Sequence, residues 1–250
     1  FNVTTTTIRS DLRELEKNGC VELHHGYATS KISNGFLSSE DSKSLRSDVE
    51  VVSHRAMEHI ESGDVVFLDG SSFCCGVAEG IDPSRHLTVI TNSLRVANTL
   101  ANREIPAEIV TLSGRWVSNR GALYPIAFET LFDRFRLSKA FLGLSSIAEG
   151  HRLAFEDILS AGVVTRIAEA SDQVFLCARS DCFGLSVDQS ESLPLKTLQG
   201  KASELIVDDN IDSEVAKRFL PPDLPVALCG ANYTYHLRTN KSKRIGLAVS

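Results

Sequence analysis

Five short stretches combine hydroxyls, amides and charges in a way that suits an anion. They are Asp69-Gly70-Ser71-Ser72, Thr91-Asn92-Ser93, Ser113-Gly114-Arg115, Ser145-Ser146 and Arg179-Ser180-Asp181. Backbone N–H groups at a helix start, with Ser and Thr hydroxyls beside them, can hold a phosphate. Arg115 and Arg179 would add charge-assisted hydrogen bonds to it. The same residue types also cap helices, their side-chain oxygens accepting from amides of the first turn. Capping is the simpler account of any one loop. Recurrence after successive apolar runs supports, beside it, a small polar ligand held by Asp69, Ser71, Ser72, Thr91, Asn92, Ser93, Arg115 and Arg179.

Catalysis at this rim would need an acid and a base. Asp69, Glu149, Asp181 and His151 are the candidates, and none belongs to a Gly-flanked acid cluster. The sequence has no G-x-S-x-G elbow to present a serine nucleophile and no G-x-x-x-x-G-K-[ST] loop. His24 and His25 are adjacent, so in a hairpin they face opposite sides and do not chelate one metal together. No metal and no cofactor are expected. The six cysteines, Cys20, Cys74, Cys75, Cys177, Cys182 and Cys229, form no C-x-x-C. Free buried thiols in a reducing, cytoplasmic compartment are expected, with a redox-sensing pair as the alternative.

The elements that must position these loops follow from the hydrophobic pattern. Apolar runs fall at Val65–Leu68, Leu87–Ile90, Ile109–Leu112, Ala140–Leu144, Val174–Cys177, Leu205–Val207 and Val226–Leu228. Helical periodicity falls between most of them, at Ser93–Arg103, Ile126–Leu137, Phe155–Glu169 and Ser213–Phe219. Continuous Val/Ile/Leu runs mark strands buried on both faces, and alternation with helices marks βαβ crossovers. The expectation is an α/β fold, a mainly parallel sheet with flanking helices. In such a sheet ligands bind beyond the carboxyl ends of the strands, where all five loops lie.

The first residues read differently. Thr4 to Thr7 offer caps, Ile8, Leu12 and Leu15 share one helical face, and Gly19 closes the helix. Cys20 to Ala28 reads as a hairpin turning near Gly26. Ser-rich residues 31–47 read as a linker, which gives a small unit at 1–30 and a large one at 48–250. With 42% hydrophobic and 23% charged residues over 250 positions, the large unit can bury its own core. No apolar stretch of about 18 residues occurs, so no membrane partner is expected. Net charge is −6, which excludes a broad basic nucleic-acid face and leaves room for a local one. The last 27 residues carry Arg238, Lys241, Lys243 and Arg244 with no acid, and read as a solvated face or a docking strip.

Thr5-Thr6-Thr7-Ile8-Arg9-Ser10-Asp11-Leu12-Arg13-Glu14-Leu15 resembles the recognition helix of DeoR-type bacterial transcription regulators, and His25-Gly26-Tyr27-Ala28 resembles the wing that follows it. Phe67-Leu68-Asp69-Gly70-Ser71-Ser72, Val89-Ile90-Thr91-Asn92-Ser93 and Phe141-Leu142-Gly143 are similar to the family's sensor domain. The resemblance implies a partial winged helix-turn-helix ahead of a sensor akin in fold to ribose-5-phosphate isomerase and glucosamine-6-phosphate deaminase. It implies a repressor of carbohydrate genes, an oligomer, whose operator DNA meets Thr5, Thr7, Arg9, Arg13 and His25. It also implies control by a phosphorylated sugar or related anionic metabolite. The alternative on the same fold is a sugar-phosphate isomerase or deaminase.

Several contact residues depart from the family pattern. Ser10 replaces a second arginine, Leu23 stands where the wing carries one, and Phe73 stands where a hydroxyl is usual. Asp181-Cys182-Phe183-Gly184 replaces a Ser-Lys-Phe-Gly motif. Either the effector differs, with Arg115, Arg152 and Arg179 compensating, or the sensor has diverged away from binding one. Phe1 aligns with the turn before the recognition helix and Met57 is the single methionine. The expectation is therefore a chain lacking the helices that cover Ile8, Leu12 and Leu15, and binding DNA weakly in this form.

Overall fold

A computed structural model describes residues 5–17, 21–24, 27–30, 39–117, 122–126, 128–157, 159–188, 192–198, 200–230, 233–237 and 243–245. The chain divides into two compact units, Phe1–Arg46 and Ser47–Ser250. In the first, helix α1 (Thr5–Lys17) precedes an antiparallel hairpin of β1 (Val21–His24) and β2 (Tyr27–Ser30), with Leu23 opposite Ala28. Ile8 on α1 is 44% exposed and Leu12 half-buried.

Helix α2 (Ser39–Glu58) starts nine residues before the helix expected at Asp48, so the second half of the expected linker is helical. The Ser-rich composition misled, because Glu40 and Asp41 suit the first turn of a helix and Lys43 and Arg46 its interior. Once Val52 and Ala56 pack into the core, adding turns to an existing helix costs little.

The large unit then alternates β3 (Val65–Leu68), α3 (Ser72–Gly80), β4 (Leu87–Thr91), α4 (Leu94–Asn102) and β5 (Ala107–Thr111). A hairpin of β6 (Gly114–Val117) and β7 (Ala122–Pro125) leads to the short α5 (Glu129–Arg134). The long β8 (Leu137–Ala148), β9 (Arg152–Phe155), α6 (Ala161–Ala170), β10 (Ser171–Ala178) and β11 (Leu193–Pro194) follow. The described chain ends with β12 (Ala202–Asp208), α7 (Ser213–Phe219), β13 (Val226–Gly230), β14 (Tyr233–Leu237) and β15 (Lys243–Ile245).

The sheet order is β15-β14-β13-β12-β10-β8-β3-β4-β5. From β13 to β5 every pairing is parallel. Strands β14 and β15 add antiparallel, so part of the tail read as a solvated strip is sheet edge.

The alternation of strand side chains explains the continuous apolar runs. Val66, Leu68, Val89, Phe141 and Ile206 point to one core, shared with Val52 and Ala56 of α2, Val77 of α3, and Val96 and Leu100 of α4. Phe67, Ile90, Leu142, Leu176 and Val207 point to the other, shared with Phe132 of α5, Val163 and Ile167 of α6, and Ala216 of α7. A sheet covered on both faces needs apolar residues at every strand position.

Two expected helices are shorter than their periodicity suggested. The one expected over Ile126–Leu137 is limited to α5, because Leu137 already belongs to β8. The one expected over Phe155–Glu169 starts at Ala161. Residues 152–155 instead pair back on the end of β8, Leu153 opposite Ile147, through a turn with positive φ at Gly150 and His151. This hairpin outweighs a local pattern in which Phe155, Leu159 and Val163 recur every four residues.

Candidate functional site

The chain runs from β3 outward through β4 to β5, then returns to place β8 on the other flank of β3. Beyond the carboxyl ends of β3 and β8 the crossovers leave in opposite directions and open a crevice, the usual ligand position in such sheets. Asp69, the residue after β3, lies there fully buried. Its Oδ1 accepts from Ser71 N–H at 3.0 Å and from the Ser71 hydroxyl, and its Oδ2 accepts from Gly143 N–H of β8 at 2.8 Å. Burial, and then the charge of Asp157, push the Asp69 carboxyl up to about 7, against the opposing pull of its bonds from Ser71 and Gly143.

Gly143 permits this arrangement. A Cβ there would fall 2.3 Å from the Ser71 Cβ and 2.5 Å from its Oγ. Ser71 is the N-cap of α3, its Oγ accepting from Cys74 N–H at 3.3 Å. Ser93 caps α4 in the same way, accepting from Val96 N–H at 3.3 Å, and Thr91 Oγ1 accepts from Ser93 N–H at 3.0 Å. Much of the hydroxyl rim is therefore occupied with capping, the simpler of the two accounts of these loops.

The donors of the cradle not used in capping are Gly70 N–H, the N–H and hydroxyl of Ser72, and the side-chain amide of the buried Asn92. Each meets a carboxylate from the loop after β9. Ser72 N–H and Oγ donate to Glu156 at 2.9 and 3.1 Å. Gly70 N–H and Asn92 Nδ2 donate to Asp157 Oδ2 at 2.8 and 2.6 Å. A cavity of about 210 Å³ opens beside them, lined by Ser72, Phe73, Leu144, Glu156, Arg179 and Cys182 among others.

Thus Asp69, Ser71, Ser72, Thr91, Asn92 and Ser93 converge. Of the two arginines, Arg115 stands apart and Arg179 reaches the cavity beside Ser72. Arg115 lies on β6 with its guanidinium 5.9 Å from the Tyr124 ring centroid. Arg179 lines the cavity, but its Nε donates to Asp181 at 3.0 Å. Arg152 donates to the Ser192 hydroxyl and carbonyl at 2.9 and 2.8 Å. The other acid-base candidates are dispersed: Glu149 pairs with Arg218, and His151 Nδ1 lies 2.8 Å from the Phe219 carbonyl. A larger cavity of about 380 Å³, lined by His151, Arg152, Lys196 and Asp223 among others, contains Arg152, one of the arginines expected to compensate at the effector, but none of the Asp69, Thr91 or Arg115 loops.

On α1, Arg9 and Arg13 are exposed, Thr5 and Thr7 lie in the first turn, and His25 falls outside the described residues. Cys74, Cys75, Cys177, Cys182 and Cys229 are free and buried, and Cys20 falls outside the described residues. Burial pushes the Cys182 thiol up to about 12 and Cys75 to about 11, which leaves little reactive thiolate and disfavours a redox role for either. Among the described residues no group of three or more His, Cys, Asp or Glu could hold a metal ion, and no helix is long and apolar enough to cross a membrane.

Glu156 and Asp157 were not among the residues singled out from sequence, and Gly143 was read only as part of Phe141-Leu142-Gly143, with no site role. Ser160, at the N-cap position of α6, was the available sign that the helix starts late and leaves Glu156 and Asp157 on a loop.

Residues 49–191 match the model of the DeoR C terminal sensor domain, and residues 1–34 that of the DeoR-like helix-turn-helix domain. The HTH-type transcriptional regulator IolR of Bacillus subtilis is 26% identical over 187 residues, 74% of each chain. The glycerol-3-phosphate regulon repressor of Escherichia coli is 31% identical over 186 residues, 74% of this chain and 73% of that one. The HTH-type transcriptional regulator YulB of Bacillus subtilis is 31% identical over 223 residues, 87% and 82% of the two chains. Among solved structures, ribose 5-phosphate isomerase A of Methanocaldococcus jannaschii aligns with a TM-score of 0.38 at 15% identity, covering 54% of this chain and 53% of its own. The translation initiation factor eIF-2B of Pyrococcus horikoshii aligns with a TM-score of 0.44 at 15% identity, covering 62% and 54%. With the sensor model spanning residues 49–191 of 250 and relatives following most of its length, the chain belongs to the DeoR family.

Proposed function

We propose that the chain is a cytoplasmic, oligomeric DNA-binding repressor of carbohydrate-metabolism genes. Its sensor takes a phosphorylated sugar or related anionic metabolite at the crevice beside β3. The observation that carries the effector reading is the set of donors at the start of α3. Gly70 N–H, Ser72 N–H and hydroxyl, and the Asn92 amide all converge on acidic oxygens. Domain boundaries near 30 and 48 separate the two activities in this reading. Membership of a family whose matched domains are a helix-turn-helix and a sensor supports the DNA side.

Binding rather than turnover suits Asp69. Its two oxygens are committed to Ser71 and Gly143 beneath the crevice floor, so it supports the cradle instead of reaching a substrate proton. Turnover of ribose 5-phosphate or glucosamine 6-phosphate above background would overturn this view.

The test is a mobility shift with the full-length gene product on DNA from its own upstream region. A site-specific, salt-sensitive shift is expected. Arg9→Ala and Arg13→Ala should each weaken it and reduce the salt slope by about one. Absence of any specific shift would refute the regulatory role.

A further inference from the structure

The cradle at the start of α3 is filled, and what fills it is the chain itself. Ser72 gives its N–H and its hydroxyl to the two oxygens of Glu156. Gly70 N–H and the Asn92 amide converge on one oxygen of Asp157. One anion taking a backbone amide and a hydroxyl together is how a phosphate or a ligand carboxylate sits at a helix N-terminus. The fit is close, since a Cβ at Gly70 would lie 3.1 Å from the Asp157 carboxyl atoms.

The loop that delivers these carboxylates is anchored independently of them. Glu156 N–H donates to the Gly143 carbonyl at 2.8 Å, and Leu153 and Leu159 are buried on either side. The Glu156 and Asp157 residues themselves are half-buried. Rotation of their side chains therefore uncovers the donors without unfolding the loop. Glu156 also lines the cavity of about 210 Å³ next to Ser72, which offers it room to move and a ligand a way in. One further atom points to a missing partner: Asn92 Oδ1 is buried, in a residue with no exposed surface, and accepts no hydrogen bond. A hydroxyl of an incoming ligand would satisfy it.

We propose that Glu156 and Asp157 are a resident surrogate for the effector's anion, and that a phosphorylated or carboxylated effector binds by displacing them from Gly70, Ser72 and Asn92. This rests on the effector reading of the crevice given above. The surrogate keeps the donors paired while the site is empty, which avoids the cost of unsatisfied amides. It lowers apparent affinity by the fraction of time the cradle is closed. It also selects for charge, because a neutral sugar has nothing with which to compete for the amides.

Calorimetric titration of the wild-type protein, E156A and E156Q with inorganic phosphate, glucose 6-phosphate and neutral glucose tests this. E156A frees both Ser72 donors and removes one negative charge. It should bind phosphate and glucose 6-phosphate at least tenfold more tightly than wild type, about 1.4 kcal/mol, with no gain for glucose. E156Q keeps the side-chain volume and one acceptor oxygen, and guards against a folding defect in E156A; a smaller gain of the same sign is expected. Unchanged or weaker anion binding by both variants, with the wild type binding, overturns the surrogate and leaves the effector reading standing. Failure of all three proteins to bind either anion overturns both.

Discussion

Substituting Gly143→Ala tests how tightly β8 closes against the start of α3. The new Cβ would stand 2.3 Å from Ser71 Cβ, 2.5 Å from Ser71 Oγ and 3.1 Å from Phe73 Cδ2. Contacts this short require movement, and Ser71 has little freedom. It is fully buried, bonded to Asp69 and caps α3 through Cys74 N–H. Losing the cap costs about 1 kcal/mol. Overpacking a dense core adds about 1–3 kcal/mol. The sum is about 2–4 kcal/mol, and at 2–4 °C per kcal/mol for a domain of this size, a mid-range loss of about 3 kcal/mol lowers Tm by roughly 6–12 °C. Urea unfolding should show a lower midpoint with an unchanged slope. The double variant S71G/G143A removes the clashing Cβ, and glycine is itself a tolerable cap. It should therefore recover about 1 kcal/mol or more relative to the sum of the single changes. A G143A protein within about 0.5 kcal/mol of wild type, or strict additivity in the cycle, would refute the close approach.

Two titration effects of opposite sign should also be measurable. The folded state holds a proton on Asp69 up to about pH 7, whereas an ordinary aspartate releases it near 3.8. Between those values the native protein binds more protons, so this group's contribution to stability falls as pH rises from about 4 to about 7 and levels off above. Tm measured against pH should show that decline in wild type and lose it in D69N; identical slopes would refute it. Glu204 behaves the other way. Burial pushes its carboxyl up, but the His59 hydrogen bond at 2.8 Å and the Arg55 charge outweigh that and hold it below the usual glutamate range. Its stabilising contribution is present above pH 4.5 and is lost as pH falls through its lowered value. Glu204→Ala removes from β12 the carboxylate that Arg55 Nη2 and His59 meet, while Arg55 keeps Glu58 at 2.7 Å, so chemical denaturation at pH 7 should show a loss of about 1–3 kcal/mol from the donors left without Glu204. A loss under about 0.5 kcal/mol would show the pair to be dispensable.

The sheet was legible because strands buried on both faces must be apolar throughout, and Val65–Leu68 or Val174–Cys177 carry that pattern without help from distant residues. The rim was legible in part for the same reason: strand ends were visible, so the residues just after them could be read. What those residues do was less visible. Ser71, Ser93 and Thr91 use their oxygens on local amides, and nothing in their type separates a cap from a ligand contact. The partners of the arginines were not legible from residue type alone: Arg179 pairs locally with Asp181 two residues on, and Arg115 meets the Tyr124 ring across the β6–β7 hairpin. Glu156 and Asp157 were hidden by a helical periodicity that the β8–β9 hairpin overrides. Strands β14 and β15 escaped because antiparallel strands added at the margin of a sheet need no continuous apolar run.

The placement of β8 also dictates when the crevice can exist. Phe67 pairs with Ile90 on one flank and with Ala140 on the other, and Asp69 meets Gly143 across 74 residues of chain. At synthesis rates of roughly 5–20 residues per second, that separation corresponds to roughly 4–15 s on the ribosome. During that interval β3, β4 and β5 can pair while the other edge of β3 stays open, with the Asp69 carboxylate still in water. Arrival of β8 closes the edge and desolvates Asp69 in one event, so the nascent chain acquires the crevice only as the two halves of the sheet join. A variant that delays that joining would leave an apolar strand edge exposed, and its damage would appear as aggregation during synthesis before it appeared in the stability of the finished protein.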